Sequence, residues 1–248
     1  MPNLFIDTNT SYQPHSVDYY KRMYAVGARA NWIKVTEGTT FTASNWTGSL
    51  NNSVSAGLVG CVYHFLRART DAQARAEATY FAKVLNAGKV QKSIKFMVDA
   101  EAQGNSTSNV LAFIATMKTF GYTNVCVYSY KYMWLSVLDS KKLPRPWVAT
   151  NDGGKQSLGI NNAQAWQYAT TFAGYSQDMN KDLTKDNWFT TAPAQTTTKV
   201  NKKVSDNVTV QEALKVIAQQ VIKGTYGNGD ARKNNIYNAV QREVNKLI

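Results

Sequence analysis

Two carboxylates stand two residues apart at the end of an apolar run, Ile94-Lys95-Phe96-Met97-Val98-Asp99-Ala100-Glu101. Gln103-Gly104-Asn105-Ser106 follows, a turn composition, so the run reads as a buried strand. Strand side chains alternate, which puts Asp99 and Glu101 on one face with Cα atoms roughly 6.5–7 Å apart. Acids placed this way repel, and one should keep its proton to a higher pH than usual. A carboxylic acid beside a carboxylate is the equipment for acid–base cleavage of a glycosidic bond. The competing reading is a pair of solvated loop acids. The spacing falls between the retaining and inverting geometries and chooses neither.

Other acids sit at comparable places. Asp7, Glu37, Asp152 and Asp178 each end or follow a strand-like run. In a parallel barrel the strand C-termini share one mouth, so these acids should converge there with Asp99 and Glu101. Tyr12, Tyr63, Tyr128, Tyr130, Trp147 and Tyr168 also cluster at strand ends, where aromatic faces can stack on sugar rings; Phe65 and Trp166 read as core. His64 reads as a hydrogen-bonding residue at a strand end and His15 as exposed. Cys61 and Cys126 lie inside apolar runs and read as buried free thiols, which leaves no Cys/His or Ser/His/Asp arrangement for nucleophilic catalysis. Two Cys and two His at scattered positions do not make a metal site, and no cofactor is expected.

The elements that must position these residues alternate. Strands are expected at Leu4–Asp7, Trp32–Val35, Leu58–Phe65, Ile94–Glu101 and Asn124–Tyr128. Helices fall between them: from a Ser16 cap to Val26, around Trp46–Ala56, from a Thr70 cap over 71–87, and from Ser106 or Thr107 to Phe120. Gly27, Gly57, Gly88 and Gly121 close these helices and recur at strand–helix spacing. A short helix at Tyr130–Leu138 and strands at Trp147–Ala149, Ala165–Tyr168 and Tyr175–Met179 follow with little helix between them. Repeated strand–helix units predict an α/β fold with a parallel sheet, closed into a barrel or doubly wound; if a barrel, it is irregular in its last third. No Gly-x-Gly-x-x-Gly or P-loop follows the first strand, which argues against a nucleotide fold.

Composition changes after Phe189. Residues 1–189 are expected to form the barrel, and the Thr/Lys-rich stretch 190–204 a linker. Residues 205–248 carry apolar positions at helical spacing (Val210, Leu214, Ile217, Val221) and form a small helical module, marginal alone and suited to a partner or a second copy. The net charge of +12 is spread over both parts and suits a polyanionic partner; no nucleic-acid motif accompanies it. No apolar run approaches a membrane span, and the N-terminus lacks a secretory signal pattern.

Several of these segments also resemble a known family. Ile6-Asp7 with Tyr12-Gln13, Ile33-Lys34-Val35-Thr36-Glu37-Gly38, Val62-Tyr63-His64-Phe65, Val98-Asp99-Ala100-Glu101, Trp147-Val148-Ala149 and Trp166-Gln167-Tyr168 resemble, in order and spacing over residues 4–180, glycoside hydrolase family 25. The resemblance implies an irregular, TIM-like β/α barrel that cuts the β-1,4 bond between N-acetylmuramic acid and N-acetylglucosamine. It implies that Glu101 is the general acid, that Asp99 orients the acetamido group or steadies the developing cation, and that Asp7 and Asp178 complete the acids. Glu37, Tyr63, Tyr128, Trp147 and Gln167 are implied at the substrate. The match is loosest at Ser176-Gln177-Asp178-Met179-Asn180, where Gln177 replaces an apolar residue and Asp182 is a second acid nearby. Residues 217–245 resemble a single, shortened CW-seven cell-wall-binding repeat, with Gly227, Gly229 and Arg232 as its contact residues. The resemblance thus implies a phage endolysin made in the host cytoplasm. Its partners would be bacterial peptidoglycan and anionic wall polymers, not nucleic acid or membrane, with the C-terminal module able to bring two copies together. The alternative is a non-catalytic wall- or glycan-binding protein on the same barrel.

Overall fold

The computed structural model describes residues 3–152 and 157–192. Residues 193–204 of the expected linker and the helical module, with Gly227, Gly229 and Arg232, lie outside the described residues; Thr190, expected to open the linker, is buried against the barrel and donates to Asp182 Oδ2 at 3.1 Å. The strands are β1 (Leu4–Thr8), β2 (Ala28–Glu37), β3 (Phe41–Thr42), β4 (Val59–Phe65), β5 (Phe96–Asp99), β6 (Val125–Tyr130), β7 (Pro146–Ala149), β8 (Ala165–Ala169) and β9 (Asp178–Asp182). The helices are α1 (Val17–Ala25), α2 (Trp46–Ser55), α3 (Asp71–Ala87), α4 (Thr107–Thr119) and α5 (Lys131–Ser136).

Strand order is β1-β9-β8-β7-β6-β5-β4-β2, and β1 also pairs with β2, so eight strands close a barrel. Pairing from β1 through β2, β4, β5, β6, β7 and β8 is parallel, with helical crossovers as far as β7 and a long connection from β7 to β8 that holds no helix among the described residues. β9 is antiparallel to both neighbours and completes the ring. The connection from Ala169 to Asp178 is too short for a crossover, so the chain turns straight back into β9. The two-residue β3, which the sequence pattern does not reveal, pairs only with the end of β2.

Caps explain most boundaries. Ser16, Thr70 and Ser106 accept hydrogen bonds from the amides of Tyr19, Gln73 and Asn109, and Ser106 with Asn109 forms a reciprocal capping box. Gly27, Gly57 and Gly121 adopt positive φ where helices stop. Gly88 does not: its φ is −75°, and Lys89 takes the left-handed turn at 55°. The reason for glycine at 88 is packing, because a Cβ there would lie 2.4 Å from the Trp46 ring.

The core has layers. Phe5, Trp32, Met97, Trp147 and Phe189 fill the barrel interior with both cysteines. Burial pushes the Cys61 thiol up to about 12, consistent with an inert buried thiol. Outside the barrel, α3 and α4 pack Phe81, Leu85, Phe113 and Met117 onto β4–β6. Their apolar faces bury what one face of a parallel sheet must cover. Among the described residues no helix is long and apolar enough to cross a membrane, and no cluster of His, Cys, Asp or Glu could hold a metal.

Candidate active site

The parallel strands end at one rim, and a cleft of about 430 Å³ opens there. Asp7, Glu37, Asp99, Glu101 and Asp178 all line it. Register explains the convergence. Asp99 is the last residue of β5 and pairs with Phe65 of β4 on one side and Tyr128 of β6 on the other. Asp7 pairs with Asp178 across β1 and β9. Glu101 follows two residues beyond Asp99 and faces the same cleft.

Asp7 is the most tightly held acid. Asn180 and Gln167 both donate to its Oδ2, at 2.7 and 3.1 Å. Asn180 accepts from the Trp147 indole at 2.9 Å, and Gln167 from the Tyr128 hydroxyl at 2.8 Å. Burial pushes Asp7 up to about 6 despite these hydrogen bonds. Asp178 is pushed up to about 8 by burial and then by the charges of Asp7 and Glu101. Glu101 is raised by burial, although the Tyr130 hydroxyl donates to it and favours its charged form. Asp99 is raised well above the carboxylate range by burial and by Glu101. One atom stands out: Asp99 Oδ1 is buried and has no hydrogen-bond partner.

The opposite wall carries the positive charge. Lys34 and Arg67 each reach Glu37 at 2.5 Å, and both cations lie over the Phe65 ring, at 4.9 and 4.4 Å. Burial tends to raise Glu37, but these hydrogen bonds and charges win and hold it below its ordinary value. Below this wall, His64 joins Thr36 and Glu77 at 2.7 and 2.9 Å, and Glu77 accepts the Arg67 amide at 2.9 Å. His64 is therefore a satisfied structural residue, as its position at a strand end predicts.

Several expectations need correction. Trp147 cannot touch a substrate: its ring is fully buried among Phe5, Trp32 and Phe189, and it acts through Asn180 on Asp7. Phe65 is not core but lines the cleft. Tyr168 lies outside the cleft lining, and Trp166 is half-buried rather than core; the two rings flank the Lys181 ammonium at 4.5 and 4.7 Å. Asp152 lies outside the cleft lining and accepts from Thr150 at 2.8 Å. His15 is half-buried rather than exposed. The last strand starts at Asp178, not Tyr175. Asp178 opens β9 at the cleft, whereas Asp182 ends it near the opposite rim, where it caps the Phe189 amide at 2.8 Å and the Thr184 hydroxyl at 2.6 Å.

Gln177 replaces an apolar residue without cost because every polar group is used. It accepts from Tyr19 at 2.6 Å and donates to the Asp7 and Asp178 carbonyls at 2.8 and 2.9 Å. Tyr63, Tyr128, Gln167 and Glu37 line the cleft as expected, joined by Asn9, Asn151 and Met97. Lys34, Arg67 and Asn180 were not anticipated at the site. A lysine inside the apolar run Trp32–Val35 was the available signal for the first. Asn180 shares a strand face with Asp178, which was the signal for the last.

Comparison with known proteins agrees with this geometry. The model of glycosyl hydrolases family 25 matches residues 6–175, and that of the CW_7 repeat matches residues 215–248. The lysozyme of Streptococcus phage Cp-7 is 25% identical over 99% of this chain and 70% of its own length. An autolytic lysozyme of Clostridium acetobutylicum is 32% identical, over 53% of this chain and 41% of its own. In fold, the chain is similar to the catalytic domain of endolysin ply40 from bacteriophage P40 of Listeria monocytogenes, with TM-score 0.63 and 18% identity over 76% of this chain and 96% of that one. With a barrel mouth lined by acids and a family model matched over well more than half its length, the chain belongs to glycosyl hydrolases family 25 and is a glycoside hydrolase.

Proposed function

We propose that this enzyme is an N-acetylmuramidase that degrades bacterial peptidoglycan at the β-1,4 bond between N-acetylmuramic acid and N-acetylglucosamine, in the lytic step of a phage infection. The phage and autolytic lysozymes it resembles support the substrate, and the CW_7 match supports a wall-binding C-terminal module. Residues 1–189 form the catalytic part in this reading, 190–204 the linker and 205–248 the module, with Gly227, Gly229 and Arg232 at the wall.

The observation that carries the reading is the unpartnered Asp99 Oδ1 beside Glu101 in the acid-lined cleft. A buried acceptor without a donor is costly, and an amide N–H from the substrate removes the cost. The 2-acetamido group of the reacting sugar supplies such an N–H. Glu101 protonates the departing glycosidic oxygen as the bond to C1 breaks. Asp99 holds the acetamido group so that its carbonyl oxygen meets C1 and shares the positive charge. Water then attacks C1, and Glu101 takes back the proton. Direct attack of water, with Asp99 steadying the cation, uses the same residues. Asp7, the less strongly raised of the Asp7–Asp178 pair, supplies the negative field under the developing cation while Asp178 holds a proton beside it. Glu37, Tyr63, Tyr128 and Gln167 border the sugar, and Trp147 supports Asp7 from beneath.

Release of reducing sugar from purified peptidoglycan by wild type and Glu101→Gln tests the reading. The variant should fold normally and release none; full activity would remove Glu101 from the acid role.

A further inference from the structure

A second groove, of about 440 Å³, lies at the other end of the barrel. It touches Val125, the first residue of β6, and Arg145, just before β7, whereas the catalytic cleft touches the last residues of β5 and β6. The two openings therefore sit on opposite rims. Four cations line the groove: Lys118 from α4, and Lys141, Lys142 and Arg145 from the loop before β7. No acid among the described residues lines it. The counter-charge at its edge is Asp139, which reaches Lys142 at 3.3 Å, and Asp182 and Asp186 lie within electrostatic range of the neighbouring Lys95.

Arg145 is built into place. Its guanidinium stacks over Trp188 at 4.3 Å and donates to Gln164 at 3.1 Å. Its backbone φ is 47°, a left-handed conformation that a bulky residue adopts only when its surroundings enforce it. Leu111, Ile114 and Leu143 supply an apolar floor between the cations.

We propose that this groove binds a flexible phosphodiester polymer of the bacterial wall, with phosphates on the Lys and Arg side chains and the polyol carbons on the apolar floor. Lysine and arginine suit phosphate, and the groove's field attracts a polyanion before contact. Single-stranded nucleic acid fits less well, because one tryptophan already covered by Arg145 offers no row of free aromatic faces for bases, and duplex DNA is an outcome of the test. Holding such a polymer at the rear rim leaves the catalytic mouth free for the glycan and raises its local concentration there. The proposal rests on the wall-degrading reading above.

The test compares the full chain with its Lys118→Gln/Lys141→Gln/Arg145→Gln variant. Each is cosedimented with Gram-positive walls, either intact or stripped of phosphodiester polymers by hydrofluoric acid. Both proteins keep the C-terminal module, so their difference isolates the groove. On intact walls the variant should bind about fivefold or more weakly, with a shallower salt dependence. On stripped walls the two should bind alike. Both should release reducing sugar equally from soluble peptidoglycan fragments, which separates failure of this proposal from failure of the muramidase reading. Equal binding to intact walls overturns the proposal, as does an equal deficit on stripped walls. So does a variant that loses binding only to duplex DNA, since that would make nucleic acid the ligand.

Discussion

Asp7 and Asp178 are direct partners across the antiparallel pairing of β1 with β9, so two acids stand side by side on the cleft floor. Facing residues of such a pair have Cβ atoms about 4.5–5.5 Å apart. At that separation both cannot be charged cheaply, and with Asp99 and Glu101 alongside the four titrate as a group. Burial raises all four and favours their protonated forms.

Activity should therefore fail on the alkaline side. A general acid works only while protonated, and burial raises Glu101 above its ordinary value, so kcat/KM should fall as pH rises, with a limb displaced to the alkaline side of an ordinary carboxyl group. A rate profile still flat from pH 5 to about 9 would contradict the raised values.

Asp178→Asn should trade activity for stability. A carboxyl whose folded pKa lies above its unfolded value stabilises the fold when protonated, and that stability is lost as pH rises from the unfolded value through the folded one. For Asp178 the window runs from 3.8 to about 8. The variant's melting temperature should exceed that of wild type by ~2–5 °C at pH 8, with the gap closing near pH 3. Equal melting temperatures at both pH values would deny the strain.

Glu37→Gln should shift the pH profile without removing the chemistry. Glu37 raises Asp99 directly, and its loss leaves Lys34 and Arg67 to favour charged carboxylates instead. The alkaline limb should move toward acid by up to about one unit, with KM rising more than kcat falls. An unmoved limb would show that this wall does not set the cluster's charge.

Gln177→Leu restores the apolar residue of the family pattern, yet here it should destabilise by about 1–3 kcal/mol in urea. It leaves the buried Tyr19 hydroxyl unpaired and removes donors from the Asp7 and Asp178 carbonyls. A neutral result would mean that water replaces those bonds.

The strand–helix repeat, the helix caps and the acid pair Asp99 and Glu101 were legible in the sequence because they rest on local signals: alternation, capping side chains and turn glycines. The direction and start of β9 were not, since its antiparallel course depends on closing the ring between β1 and β8. Trp147 was misread for a related reason. Its strand position points inward at a depth the sequence does not encode, below the cleft instead of beside it. Lys34 and Arg67 belong to the site through contacts with Glu37 that cross from β2 to the loop after β4.

The central claim is that Glu101 protonates the leaving oxygen of a muramic acid glycoside. Mass spectrometry of borohydride-reduced fragments from purified peptidoglycan, digested by wild type and by Glu101→Gln, tests it most directly. The account predicts reduced muramic acid at every new end with wild type and no new ends with the variant. New ends carrying reduced glucosamine, or freed stem peptides with intact glycan, would contradict it.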